Sequence, residues 1–228
     1  CVRKLWIVNV GDLKPMEYPI TFFLDMAWNP DKFNAQNLQQ HAEEFCARQF
    51  GCTYAKEAAR ILSLYAKYNR RVTPEMLNAK TYSFNYGEWE RVVNEYNTLA
   101  LDAHNLGFLL PSGYRDAYDL LFSFPVQACS NLYNMYYAQA KNQALATKKD
   151  PEANYWADKV ASCFQRDSIL TDYYHKTISD GKWNHLMSQI HIGYTSWNNP
   201  EKRTMPKITR IPERSVPYTF KETKGYVS

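Results

Sequence analysis

Five stretches of this chain repeat apolar residues every three or four positions and follow one another through short connections, a pattern that forces neighbouring helices into a bundle. From about Phe33, the residues Ala35, Leu38, Ala42, Phe45 and Cys46 form the first stripe, which stops near Gly51, a residue free to take a positive-φ helix end. Ala55, Ala58, Ala59, Leu62, Tyr65 and Ala66 form the second, closed by "KYNRRVTP". After the loop "TYSFNYGE", Val92, Tyr96, Leu99, Ala100, Ala103 and Leu106 form the third. The fourth is expected to start at Ser112 as N-cap and to run through Leu120, Phe124, Leu132 and Met135 to about Ala146, kinked at Pro125. Asp150-Pro151-Glu152 is a start signal for the fifth, with Trp156, Val160, Phe164 and Tyr173 on its stripe.

Ahead of the helices stands a different pattern. Leu5-Trp6-Ile7-Val8-Asn9-Val10 is short, β-branched and nearly all apolar, as in a strand buried on both faces of a parallel sheet. A charged loop "GDLKPMEYP" follows, then Ile20, Phe23, Leu24 and Ala27 at helical spacing up to Trp28-Asn29-Pro30. Strand, loop and helix make one β/α unit. Such a strand needs neighbours on both edges, yet the chain offers only one poor second candidate, "KITRI" near its end. The remaining strands are expected to come from sequence outside this chain.

The 228 residues suffice for one sizeable core. With 45% hydrophobic and 22% charged residues the chain reads as globular, and no apolar run approaches the roughly 18 residues of a membrane span, so no membrane partner is expected. A formal charge of +4 with scattered basic residues gives no footprint for nucleic acid. The 18 tyrosines and six tryptophans suit both helical cores and sugar-binding surfaces, with core the expected use for most. Five cysteines make no disulfide framework and are read mostly as small buried apolar residues. Cys1 occupies the first position and no signal peptide is visible, so the start reads as cut.

Chemically, the loop after the strand is the sharpest feature. Catalytic groups of β/α barrels sit where strands end, and Asp12, Lys14 and Glu17 occupy that position, with Pro15 and Pro19 framing Glu17. The other reading is a solvated turn in which Lys14 pairs an acid. His185 and His191, beside Trp183, have no zinc-ligand spacing; they read either as structural histidines or as the lining of a sugar site. Asp172-x-x-His175 is a lone acid-histidine pair, short of what a di-metal bundle requires, so no metal or other cofactor is expected. Neither a phosphate loop nor a serine-hydrolase elbow occurs.

Three strings carry a resemblance to a known family: "LWIVNVGDLKPMEYPITFFLDMAWNP" at 5–30, "YRDAYDLLFSFPVQACSNLYNMYYAQAKNQALA" at 114–146, and "TDYYHKTISDGKWNHLMSQIHIGYTSWNNP" at 171–200. Together they resemble glycoside hydrolase family 115, the xylan α-1,2-glucuronidases. The resemblance implies a mostly α chain: a five-helix, antiparallel-type bundle preceded by one β/α unit of an incomplete (β/α)₈ barrel. Residues 1–32 would be a C-terminal β/α unit of the catalytic barrel, 33–180 the helical bundle, and 181–228 a return segment and linker towards a C-terminal β-rich domain.

The family removes glucuronic acid or its 4-O-methyl derivative from xylan with inversion, so the resemblance implies glucuronoxylan or a glucuronoxylo-oligosaccharide as substrate. It makes Glu17, in "KPMEYP", one of the two catalytic carboxyls, its partner lying outside this chain. Lys14 and Asn29 are the implied candidates for binding the uronate, with His191 as a further substrate-binding candidate. Secretion or a periplasmic location, contact with the remaining domains and a homodimer are implied for the parent enzyme, and inactivity for the chain alone. The alternative is a stand-alone helical module that binds a protein or glycan without catalysis.

Overall fold

The computed structural model describes residues 4–193 and 202–212, and its regular structure is helical. Helix α1 spans Glu17–Trp28, α2 Leu38–Phe50, α3 Ala55–Asn69, α4 Glu88–Leu109, α5 Arg115–Tyr118, α6 Phe124–Thr147 and α7 Ala153–Lys176. The chain is therefore mostly α, and α2, α3, α4, the joined α5–α6 rod and α7 correspond to the five periodic stretches. Neighbours in sequence are neighbours in space: α2 packs on α3, α3 on α4, α4 on α6 and α6 on α7.

Helix α6 lies at the centre, with Val126, Cys129, Leu132, Tyr133, Met135, Tyr136 and Ala140 buried around its circumference. Tyr133 stacks on Tyr96 of α4 at 4.1 Å between ring centroids, and Tyr96 Oη donates to Asn69 Oδ1 at 2.5 Å. Burying each such ring is worth roughly 1.5–3 kcal/mol, so this contact and the buried Trp89 are main supports of the bundle. Burial also pushes the thiols of Cys46 and Cys129 up to about 12, which leaves both protonated and inert at neutral pH. Cys163 is half-buried and Cys52 exposed; Cys1 lies outside the described residues.

Several local expectations change form. Ser112 makes no side-chain cap; it opens a single 3₁₀ turn, Ser112–Tyr114, that leads into α5. Pro125 cannot donate to the carbonyl four residues earlier, and the disturbance appears just upstream as a π-helical turn, Asp119–Ser123, joining α5 to α6. Asp150 does act at the start of α7, where its Oδ1 accepts from the Glu152 N–H at 2.9 Å. On α7 the buried ring is Tyr174, and Tyr173 is exposed.

Segment 5–10 forms no strand pairing among the described residues, and Leu5 and Ile7 are 74% and 90% exposed. Trp6 packs on Phe23 at 5.3 Å, which lays this segment along α1. The face of α1 that meets the bundle is Tyr18, Phe22 and Asp25. Both rings lie against His41 of α2, and Asp25 Oδ2 hydrogen-bonds its Nε2 at 2.9 Å. The stripe read from spacing faces the other way, with Leu24 and Ala27 open to solvent.

The stretch 207–211 likewise forms no strand; it crosses α6 and α7 as a strap read by side-chain amides. Asn142, fully buried, accepts from the Thr209 N–H at 2.9 Å and donates to the carbonyls of Thr209 and Ala153 at 2.8 Å. Asn154 pairs both backbone groups of Ile211 in the same way, and Gln139 donates to the Lys207 carbonyl. Carboxamides here supply the bonds that a strand neighbour would otherwise supply.

Candidate active site

The loop between segment 5–10 and α1 turns at Gly11, whose φ of +63° suits glycine and whose N–H is held by Asn9 Oδ1 at 2.9 Å. The Lys14–Pro15 bond is cis. Glu17 is the first residue of α1, where the helix dipole favours a carboxylate. Lys14 forms an ion pair with Glu17, and each side chain keeps under a third of its surface exposed. Apart from that counter-charge, both Glu17 carboxylate oxygens are shielded from solvent and accept no hydrogen bond. A shielded carboxylate with spare acceptor capacity is a group that a substrate proton or water can still engage.

Opposite this loop is the turn after α7. Ser179, Asp180 and Gly181 all have positive φ, 51°, 54° and 78°, and a Cβ on Gly181 would stand 3.2 Å from the His175 carbonyl oxygen. This left-handed turn brings Trp183 back onto the small cluster of Leu120, Phe124, Tyr174 and Ile178. Lys14 Nζ sits 5.1 Å from the Trp183 ring, and Lys182 Nζ sits 4.9 Å from it. Tyr174 is fully buried with an unpartnered hydroxyl; burial first, then the charges of Glu17 and Asp12, raise its pKa. Lys14, Glu17, Asp12, Tyr174 and Trp183 therefore share one electrostatic environment.

The other two candidates lie elsewhere. Asn29 is exposed at the far end of α1, about 18 Å along the axis from Glu17, where its N–H closes the last turn on Asp25. His191 Nε2 donates at 2.7 Å to Oδ1 of the buried Asp167, roughly two helical turns before Tyr174 on the same face of α7. Burial works against its charge, but the hydrogen bond and charge of Asp167 outweigh that and leave its pKa raised. Arg203 completes the cluster, its Nε 3.0 Å from Asp167 Oδ2 and its guanidinium 3.8 Å over the Phe164 ring. His191, Asp167 and Arg203 line a cleft of about 320 Å³ with His175 and Met187. The His175 pKa is lowered, by burial and then by His185, whose ring is 6.2 Å away.

Sequence reasoning missed Tyr174, Asp167 and Arg203. Asp167 carried a usable signal: it continues the register of Val160 and Phe164 with an acid at a core position, which demands a partner. Among the described residues no group of three or more metal-ligating side chains occurs, and no helix is long and apolar enough to cross a membrane.

Comparison with known proteins bears on the same residues. The family model for glycosyl hydrolase family 115 matches residues 1–76, which include the Lys14–Glu17 loop and α1. No curated protein matches. Among solved structures, a family 115 4-O-methyl-α-glucuronidase with specificity for decorated arabinogalactans superposes with a TM-score of 0.64 at 26% identity. The match covers 92% of this chain and 28% of that protein. The chain thus spans under a third of its neighbour's length. A family model on the Glu17 loop and a family enzyme matched along nearly the whole chain show one and the same likeness: the chain is similar to glycosyl hydrolase family 115.

Proposed function

We propose that the chain is part of an inverting α-glucuronidase that releases glucuronic acid or its 4-O-methyl derivative from a polysaccharide, with Glu17 as one of its two catalytic carboxyls. The observation that carries this reading is the state of Glu17: desolvated, fixed at a helix N-terminus, opposed by one cation and accepting no hydrogen bond. Inversion needs one carboxylic acid to protonate the leaving oxygen and one carboxylate to activate water, about 6.5–9.5 Å apart. Glu17 fills one of these roles and the partner carboxyl belongs to sequence beyond these residues. Lys14 lies where it can pair the sugar carboxylate, and Trp183 offers a ring face beside it.

Glucuronoxylan, or a glucuronoxylo-oligosaccharide, is the proposed substrate, hydrolysed by a secreted or periplasmic enzyme acting as a homodimer. That the matched protein is a 4-O-methyl-α-glucuronidase with specificity for decorated arabinogalactans supports a reading in which the uronate side chain is the group recognised. In this reading residues 1–32 belong to the catalytic barrel, 33–180 to the bundle and 181–228 to the return segment. The open outer face of α1, with Leu24 and Trp28 bare, supports such a barrel neighbour. Asn29 and His191, remote from Glu17 here, would serve the substrate only from other subsites.

The test is Glu17→Gln in the full enzyme. Release of glucuronic acid from glucuronoxylan should fall by about 10²–10⁴-fold with the fold intact. An unchanged rate would overturn the assignment.

A further inference from the structure

A second cleft among the described residues is remote from Glu17, and no part of the catalytic reading uses it. It is a groove of about 680 Å³ between α4 and α7 with α6 as its floor, within the size range of small-molecule sites. Trp156, at one end, is 18 residues before Tyr174 on α7, or about 27 Å along the helix.

Its floor is polar where a bundle interior is ordinarily apolar. Asn97 Oδ1 accepts from Asn134 Nδ2 at 2.6 Å and from Ser130 Oγ at 3.1 Å. Asn131, almost fully buried, donates to the Cys163 carbonyl at 2.8 Å. Gln127 donates to the Ala100 carbonyl and accepts from Arg166 at 3.0 Å. These amides are held in place by one another and by helix carbonyls, so their remaining donors and acceptors form a preorganised array.

The walls add two further properties. Tyr155 is half exposed and stands edge-on to Trp156 at 5.2 Å, and Trp156 in turn meets Tyr137 at 5.4 Å, giving an aromatic step at the mouth. Lys159 and Arg166 are cationic, and among the described residues no Asp or Glu lines the groove. Paired amides suit vicinal hydroxyls, an exposed tyrosine ring suits the C–H face of a pyranose, and unopposed cations suit a carboxylate.

We propose that this groove is a second, non-catalytic binding site for an acidic oligosaccharide, one bearing a uronate. The choice of probe rests on the glucuronidase reading; the charge and amide pattern of the groove do not. A partner helix would call for apolar anchors, which this chain displays instead on α1.

The experiment is a titration of the full 228-residue chain with a glucuronoxylo-oligosaccharide and with the uncharged xylo-oligosaccharide of equal length. Calorimetry reads the affinity, and side-chain amide NMR shifts read the place. Saturable binding is expected, with shifts in the amides of Asn97, Gln127, Asn131 and Asn134 and a preference for the charged probe that falls with salt. Tyr155→Ala and Arg166→Gln, both at exposed positions, should each weaken binding by about tenfold. Absence of saturable binding, equal affinity for the uncharged probe, indifference to both variants, or shifts confined to the Trp183 indole would each overturn the proposal. Because binding is read without hydrolysis, failure here and failure of the Glu17 assignment are separate results.

Discussion

Asp167 is a carboxylate 3% exposed inside a helical bundle, and it is tolerable there because two cations reach it from the return segment. The His191 side of that pairing makes stability depend on pH. With its folded pKa raised above the ordinary value near 6.5, the imidazolium contributes stability that is fully present below about pH 6.5 and is lost as pH rises through the folded value. His191→Gln should therefore cost about 1–2 kcal/mol at pH 5.5 and less at pH 8.5. Urea unfolding midpoints at the two pH values measure the difference, and a cost that grows with pH would contradict the pairing. Arg203, whose Nε lies 3.0 Å from Asp167 Oδ2, is the second counter-charge to the same carboxylate.

At the scale of elements, the strap makes the clearest demand. Asn142→Ala deletes three hydrogen bonds and strands buried backbone groups of Thr209 and Ala153, which should cost about 2–4 kcal/mol. Hydrogen exchange should rise across 205–211 in this variant, with the α4–α6 core still protected; uniform protection would mean that the amide does not hold the strap. The helices were legible because their apolar residues recur over many turns. The errors arise where a short cue or a long gap replaced the repeat. Phe164 to Tyr173 spans nine positions, about two and a half turns, so the stripe passes to Tyr174 instead. Ser112 matched a cap by type alone. In the candidate site, Lys14 beside Glu17 could be read because loop charges between prolines are conspicuous. The strap was hidden because Gln139, Asn142 and Asn154 read as amides turned to water, and what they bind is backbone, which carries no sequence signature.

For the whole molecule, two unlike surfaces stand at opposite extremes. The amide groove is polar and preorganised, whereas Leu5, Ile7, Leu24 and Trp28 leave an apolar face beside α1, Trp28 being 92% exposed. A face of this kind is ordinarily covered. The isolated chain should therefore bind 8-anilinonaphthalene-1-sulfonate or self-associate, and Leu24→Lys with Trp28→Lys should suppress both by fluorescence and sedimentation. On the proposed reading of Glu17 as one carboxyl of an inverting pair, the isolated chain should also release no glucuronic acid, because one carboxyl of such a pair cannot be held to catalytic tolerance alone. The strap has a further consequence during synthesis. Its bonds join positions 67 residues apart, while α6 and α7 meet across a short turn and are complete at Lys176. On the ribosome that hairpin can close before Thr209 emerges, so Asn142 first folds with its amide towards water and acquires its partner last.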